Sequence, residues 1–251
     1  MPFSDQYKFA LVCTPEGEDI QSTPVTPPQD NRLDVALDTS VSEEGALISH
    51  ISLNPSGIYD FIFRSFLNRV PPAQREMIFK SVVGQAIPGA NLTDFQLSNL
   101  DDLNAPVKLT FSISARNQVI HAGDYLLFTT PGQGGRLDFL LRSILSGATA
   151  EQRRFPLELP ATLESRIHET VKLPDGYTPR SLPEPLSREQ GGAAISRAFV
   201  TTASGLDYTE DFKTSDLYFS GTAYHGLREL LSQKDKLQDG KVILVRQGGA
   251  K

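Results

Sequence analysis

"PVKLTFSISA", residues 106–115, alternates without a break: Val107, Leu109, Phe111, Ile113 and Ala115 fall on one side, Lys108, Thr110, Ser112 and Ser114 on the other. Successive side chains of a strand point to opposite faces, so this pattern describes a sheet with one face in the core and one in water. "RLDVALDTSV" (32–41) repeats it, with Leu33, Val35, Leu37 and Val41 set against Asp34 and Asp38. Further strands are predicted in "KFALVC" (8–13), 45–53, 125–130, 153–160, 163–173, 192–203, 206–214 and "KVILVR" (241–246).

Helical spacing is rarer. Residues 56–70 place Ile58, Ile62 and Phe66 on one stripe, 71–87 open on proline and place Met77, Ile78, Val82 and Ile87 toward one side, and 222–236 carry Tyr224, Leu227, Leu230 and Leu231 behind Thr222 as a cap. "TPPQDN" (26–31), "TPGQGGR" (130–136) and "LPEPLSREQGG" (182–192) read as loops. The expected fold is therefore mainly β with a few helices, as two antiparallel β-sandwich-like domains. Residues 1–131 form a β-rich domain with a helix pair on its sheet, and 132–251 an antiparallel domain with one C-terminal helix. Pro174, Pro179, Pro183 and Pro185 cannot donate ladder hydrogen bonds, which sends 174–185 to a sheet edge and leaves 241–246 as a buried strand.

Composition narrows the function. A net charge of −6 over 251 residues disfavours the phosphate backbone of nucleic acid as a partner, because such binding needs a positive field. Polar residues interrupt every apolar run well short of the roughly 20 needed to span a bilayer, so no membrane span is expected. The single cysteine, Cys13, excludes an intramolecular disulfide and a multi-cysteine zinc site, and its place in an apolar strand predicts a buried, inert thiol.

No reactive constellation emerges. "YLLFTTPGQGGRLDFLLRSIL" (125–145) has the strand, glycine loop and helix that could cradle a phosphate, yet lacks the GK[ST] of a P-loop and the G-x-G-x-x-G spacing of a dinucleotide fold. His50, His121, His168 and His225 are scattered; Glu164 and His168 would share a strand face about 13 Å apart, too far for one metal. Adjacent acids at 43–44 and 101–102 point apart in extended backbone, and none of the Ser-Gly pairs forms a G-x-S-x-G elbow. Catalytic, cofactor-binding and metal-binding residues are each expected to be none.

The order of segments carries a resemblance. From "YKFALVCTPEGEDIQSTPVTPPQDN" through "SEEGALISHISLNPSGIYDFIFRSFL", "FQLSNLDDLNAPVKLTFSI" and "YLLFTTP" to "KLPDGYTPRSLPEP" and "AYHGLRELL…KVILVR", the chain resembles the C-terminal region of bacterial transglutaminase-like proteins. That family combines an N-terminal domain of unknown function (DUF3857-type), a papain-like core with a Cys-His-Asp triad, and a β-rich tail. The triad would lie upstream of the segment matched here, and Cys13 falls after it. The resemblance thus implies a non-catalytic accessory region, without cofactor, that supports or positions the upstream core of the same polypeptide in the periplasm or cell envelope. A β-sandwich module recognising a protein or a cell-envelope glycan is the alternative, and an independent enzyme the third reading.

Overall fold

The computed structural model describes residues 3–134 and 136–248. The chain runs through β1 (Phe9–Thr14), β2 (Gly17–Ser22), β3 (Arg32–Val41), β4 (Leu47–Pro55), α1 (Ile58–Leu67), α2 (Pro72–Ala86), β5 (Ala90–Leu97), β6 (Leu109–Ala115), β7 (Ile120–Ala122) and β8 (Tyr125–Phe128). It continues through the helical turn α3 (Pro131–Gly134), α4 (Phe139–Ile144), β9 (Leu157–Glu158), β10 (Leu163–Lys172), β11 (Tyr177–Ser181), β12 (Leu186–Gln190), β13 (Ala193–Thr201), β14 (Gly205–Thr214), β15 (Tyr218–Phe219), α5 (Gly221–Lys236) and β16 (Val242–Arg246). The fold is mainly β with a few helices, as the alternating segments predict.

An eight-stranded sheet, ordered β12-β13-β14-β10-β3-β4-β6-β5, organises the molecule. Its alternation assigns one face to the interior: Leu33, Val35, Leu37, Ile51, Leu53, Leu109, Phe111, Ile113, Ile167, Ile195 and Phe212 are all buried. Over one end of this face lie α1, α2, α4 and α5, contributing Tyr59, Phe63, Phe79, Leu141, Tyr224, Leu227 and Leu230 to the same apolar cluster. Over the other end lies a smaller sheet, β11-β16-β8-β7, whose Leu126, Phe128, Tyr177, Val242 and Leu244 pack on Val41, Leu47, Ala115, Val171 and Leu206. That second contact is sandwich-like. The opposite face of the large sheet is open and polar, presenting residues such as Asp38, His50, Ser112, Thr170 and Asp207 in one cross-strand row.

The residues on either side of 131/132 do not form two separate sheets. β10 pairs in parallel with β3, from Glu164 opposite Arg32 to Lys172 opposite Ser40, so one sheet and one apolar cluster run across that point. Both strands carry one wet and one dry face, and alternation specifies the face without naming the neighbour. The proline-spaced segment behaves as expected: β11 is the edge strand of the small sheet, bonded to β16 alone, while β16 is paired on both sides and Val242 and Leu244 are fully buried.

Other expectations need correction. Leu186–Gln190, read as loop, is the edge strand β12; Ala90–Leu97, unassigned, is the opposite edge β5; and of 153–160 only Leu157–Glu158 is strand. Residues 131–134 of the glycine loop make a helical turn, and Gly135 lies outside the described residues. In α1 the buried stripe is Ile58, Tyr59, Phe63 and Leu67, with Phe66 exposed; in α2 it is Phe79, Val83 and Ala86, with Met77 exposed. α5 starts at Gly221 after Ser220, not behind Thr222, but buries Tyr224, Leu227 and Leu230 as its spacing requires; Leu231 is half-buried.

Candidate functional site

Most of the buried charges between α4, α5, β13 and β14 are paired with one another. Lys234, on the buried stripe of α5, stands between Asp138 at 3.1 Å and Glu210 of β14. Arg142 of α4 bonds Asp138 and Asp235, each at 2.8 Å. Arg197 lies 3.6 Å from Glu210, which also accepts the Tyr208 hydroxyl at 2.9 Å. Burial alone would push the Asp138 carboxyl up, but Lys234 and Arg142 overcome it and hold it below the usual carboxylate range; Lys234 is likewise held above its ordinary value by Asp138 and Glu210 against the opposing effect of burial. Three cations thus face three anions, an arrangement that fastens α4 and α5 to β13 and β14.

The residues weighed from sequence are not brought together. His50 bonds Ser112 on the open face at 2.8 Å, His168 lies on the same face two strands away, and His121 and His225 are exposed elsewhere. Glu164 does share a strand face with His168, but its carboxylate is bonded to Arg166 at 2.9 Å. Glu43 pairs with Arg246, and Asp102 accepts the Asn104 amide at 3.0 Å. Among the described residues no group of three metal-ligating side chains exists. The prediction for Cys13 fails: it is exposed, because β1 pairs with β2 alone and none of the described residues covers that face of the ribbon.

That ribbon is the feature which sequence reasoning missed. Register places Leu11 opposite Ile20 and Phe9 opposite Ser22, so Phe9, Leu11, Cys13 and Ile20 share one face. Phe9 is 87% exposed, Leu11 59% and Ile20 69%. Its base is fastened by Lys8, which bonds Glu158 at 2.9 Å, and by Tyr7, whose ring lies 5.7 Å from that of Tyr218. Glu158, accepting from both Lys8 and Tyr218, is held below its ordinary pKa by those hydrogen bonds. Beside this base opens a groove of about 580 Å³ walled chiefly by Phe3, Phe61, Ile62, Leu159, Pro160 and Leu217. A two-stranded hairpin is marginal by itself in water, and a contiguous apolar patch on a folded protein marks a contact surface. The only sequence signal for it was the apolar run 9–13 without an alternating polar partner.

Residues 139–244 match the family model of a domain of unknown function with a solved structure, DUF3858. No curated protein matches the chain. A solved structure from Parabacteroides distasonis, described as a "putative protease", is similar over 49% of this chain and 24% of its own length, at 13% identity and a TM-score of 0.39. The segment from α4 to β16 is therefore similar to a domain of unknown function, and the chain spans about a quarter of the solved protein to which it is likened.

Proposed function

We propose that this chain is a non-catalytic accessory module that docks, through the β1–β2 ribbon and the adjoining groove, against a papain-like transglutaminase core belonging to the same polypeptide, in the periplasm or cell envelope. The observation that carries the reading is the exposure of Phe9, Leu11 and Ile20 on one face of a ribbon over which the described residues place no layer. Apolar side chains held on a pre-formed β-ribbon suit a protein partner, since burying them removes area from water at little ordering cost. The charge network of the interior has no member available as nucleophile or base, which accords with a supporting role. The open sheet face, whose rows hold serine, threonine, histidine and charged residues with Ile48 and Val200 among them, shows no aromatic platform for a sugar ring among the described residues, so a glycan-binding module is disfavoured.

Calorimetric titration of this chain into the separately prepared core tests the reading. Substituting Phe9→Ser, Leu11→Ser and Ile20→Ser together should weaken binding at least tenfold, as expected for central apolar anchors. Equal binding by the wild type and the triple variant sinks the docking surface. Hydrolysis or cross-linking of an amide substrate by this chain alone sinks the accessory role.

A further inference from the structure

Glu169 projects from β10 into the covered face of the large sheet and is fully buried. Its Oε1 accepts a hydrogen bond from the Thr39 hydroxyl at 2.6 Å and its Oε2 one from the Gly132 amide at 2.9 Å; the Thr130 hydroxyl also lies against it. The groups around it are uncharged or otherwise engaged. From β14, Tyr208 faces it in register, with its hydroxyl given to Glu210, and the cations beyond, Arg197 and Lys234, are paired with Glu210. β3 contributes Leu37 and Thr39, β4 contributes Ser49, and the turn α3 contributes only Gly132 and Gln133 after Thr130. No cation among the described residues compensates a charge on this carboxyl.

We propose that buried Glu169 is a proton-binding site, and that its proton locks the Thr130–Gly134 turn onto the sheet. The neutral acid satisfies every neighbour. Oε2 keeps the Gly132 amide, Oε1–H donates to the Thr39 hydroxyl, and Thr39 turns to donate to Ser49, whose oxygen is 2.6 Å away. The hydroxyl pair can reverse, so the hydrogen bonds of the closed site can serve either protonation state; what differs is the cost of leaving a bare charge in the core, which lifting the turn relieves. Burial pushes this carboxyl up from 4.5 to about 7, the three donors opposing it only in part. Above that value the charge regains water only if the turn lifts. The turn carries Gln133, whose side-chain amide donates to the carbonyls of Leu237 and Gly240, each at 3.0 Å, immediately before β16. Ionisation of Glu169 is thereby felt where α5 hands the chain to the small sheet.

A carboxyl whose folded pKa is raised stabilises the fold fully below its unfolded value and loses that contribution as pH rises through the folded one. For Glu169 the window runs from 4.5 to about 7. Across it the folded-to-unfolded ratio should fall on the order of a hundredfold, close to tenfold for each pH unit crossed. Urea unfolding at about pH 5 and about pH 8 reads this directly. The wild type should lose stability between the two, and Glu169→Gln, which mimics the neutral acid, should lose far less and exceed the wild type at the higher pH. Parallel pH dependence of the two proteins overturns the proposal. Should Glu169→Gln not fold, isotope-edited infrared spectra of the wild type decide. A protonated carboxyl band for a buried glutamate at about pH 6 supports the site, and its absence overturns it.

Discussion

At single residues, the packing around the glycine loop and the 98–106 loop makes sharp demands. A Cβ at Gly132 would stand 2.5 Å from the Glu169 carboxylate and 3.1 Å from its Cβ, whereas one at Gly84, on the outer side of α2, would meet nothing within 4 Å. Gly132→Ala should therefore destabilise by about 1–3 kcal/mol and Gly84→Ala stabilise by up to about 1 kcal/mol, a difference of sign that chemical denaturation would resolve. Arg64 is almost wholly buried; it bonds Asp60 at 2.7 Å and donates to the carbonyls of Leu100, Asp102 and Ala105. A lysine keeps the charge but not the planar fork, so Arg64→Lys should cost on the order of 2 kcal/mol and loosen the 98–106 loop, visible as faster amide exchange there. None of this was legible beforehand. A glycine in "TPGQGG" looks the same whether it avoids a phosphate, as the fold of a nucleotide site would need, or a glutamate from a strand 37 residues on.

At the level of elements, α5 depends on a charge that its neighbours neutralise. Lys234→Met removes the cation between Asp138 and Glu210 and should destabilise by about 3–5 kcal/mol, because two carboxylates then remain buried with one fewer partner. Asp138 adds a pH signature. Its folded pKa is depressed, so its contribution is present above the ordinary 3.8 and disappears as pH falls through the folded value; Asp138→Asn should flatten the acid limb of the stability profile followed by circular dichroism. Strands and the last helix could be read from sequence because their buried faces are continuous: Val107 to Ala115 and Tyr224 to Leu230 each match one period. The stripes read for α1 and α2 were misplaced, since Phe61, Phe66 and Met77 are apolar yet exposed. β12 was hidden because an edge strand with burial on one flank, "LSREQ", has the polarity of a loop.

For the whole molecule, the decisive contact is the parallel ladder between β3 and β10, which no local pattern announces. Its consequence is concrete. Fragments 1–131 and 132–251, prepared separately, should each lack cooperative unfolding, because cutting between them exposes the inner edges of β3 and β10 and the Leu33, Val35 and Ile167 surface they share. Mixing them should restore a single transition in the circular dichroism melt; two independent transitions from the isolated fragments would contradict the shared core. Of the ribbon only its first strand was legible, and as a buried one, since Phe9 and Leu11 are apolar without being buried and their partner β2 is polar apart from Ile20.

The β3–β10 ladder also fixes the order of events in time. Arg32 and Glu164 meet across more than half the chain, so the central seam of the sheet closes a long loop before its contacts reward the entropy spent. The hairpins on either side, β3–β4 and β13–β14, are local and can form early, while the seam between them is the late, slow event of a high-contact-order topology. Until it closes, two growing sheets offer unpaired edges to any other chain nearby. The yield of native protein on refolding should therefore fall with protein concentration, even where the finished fold is stable.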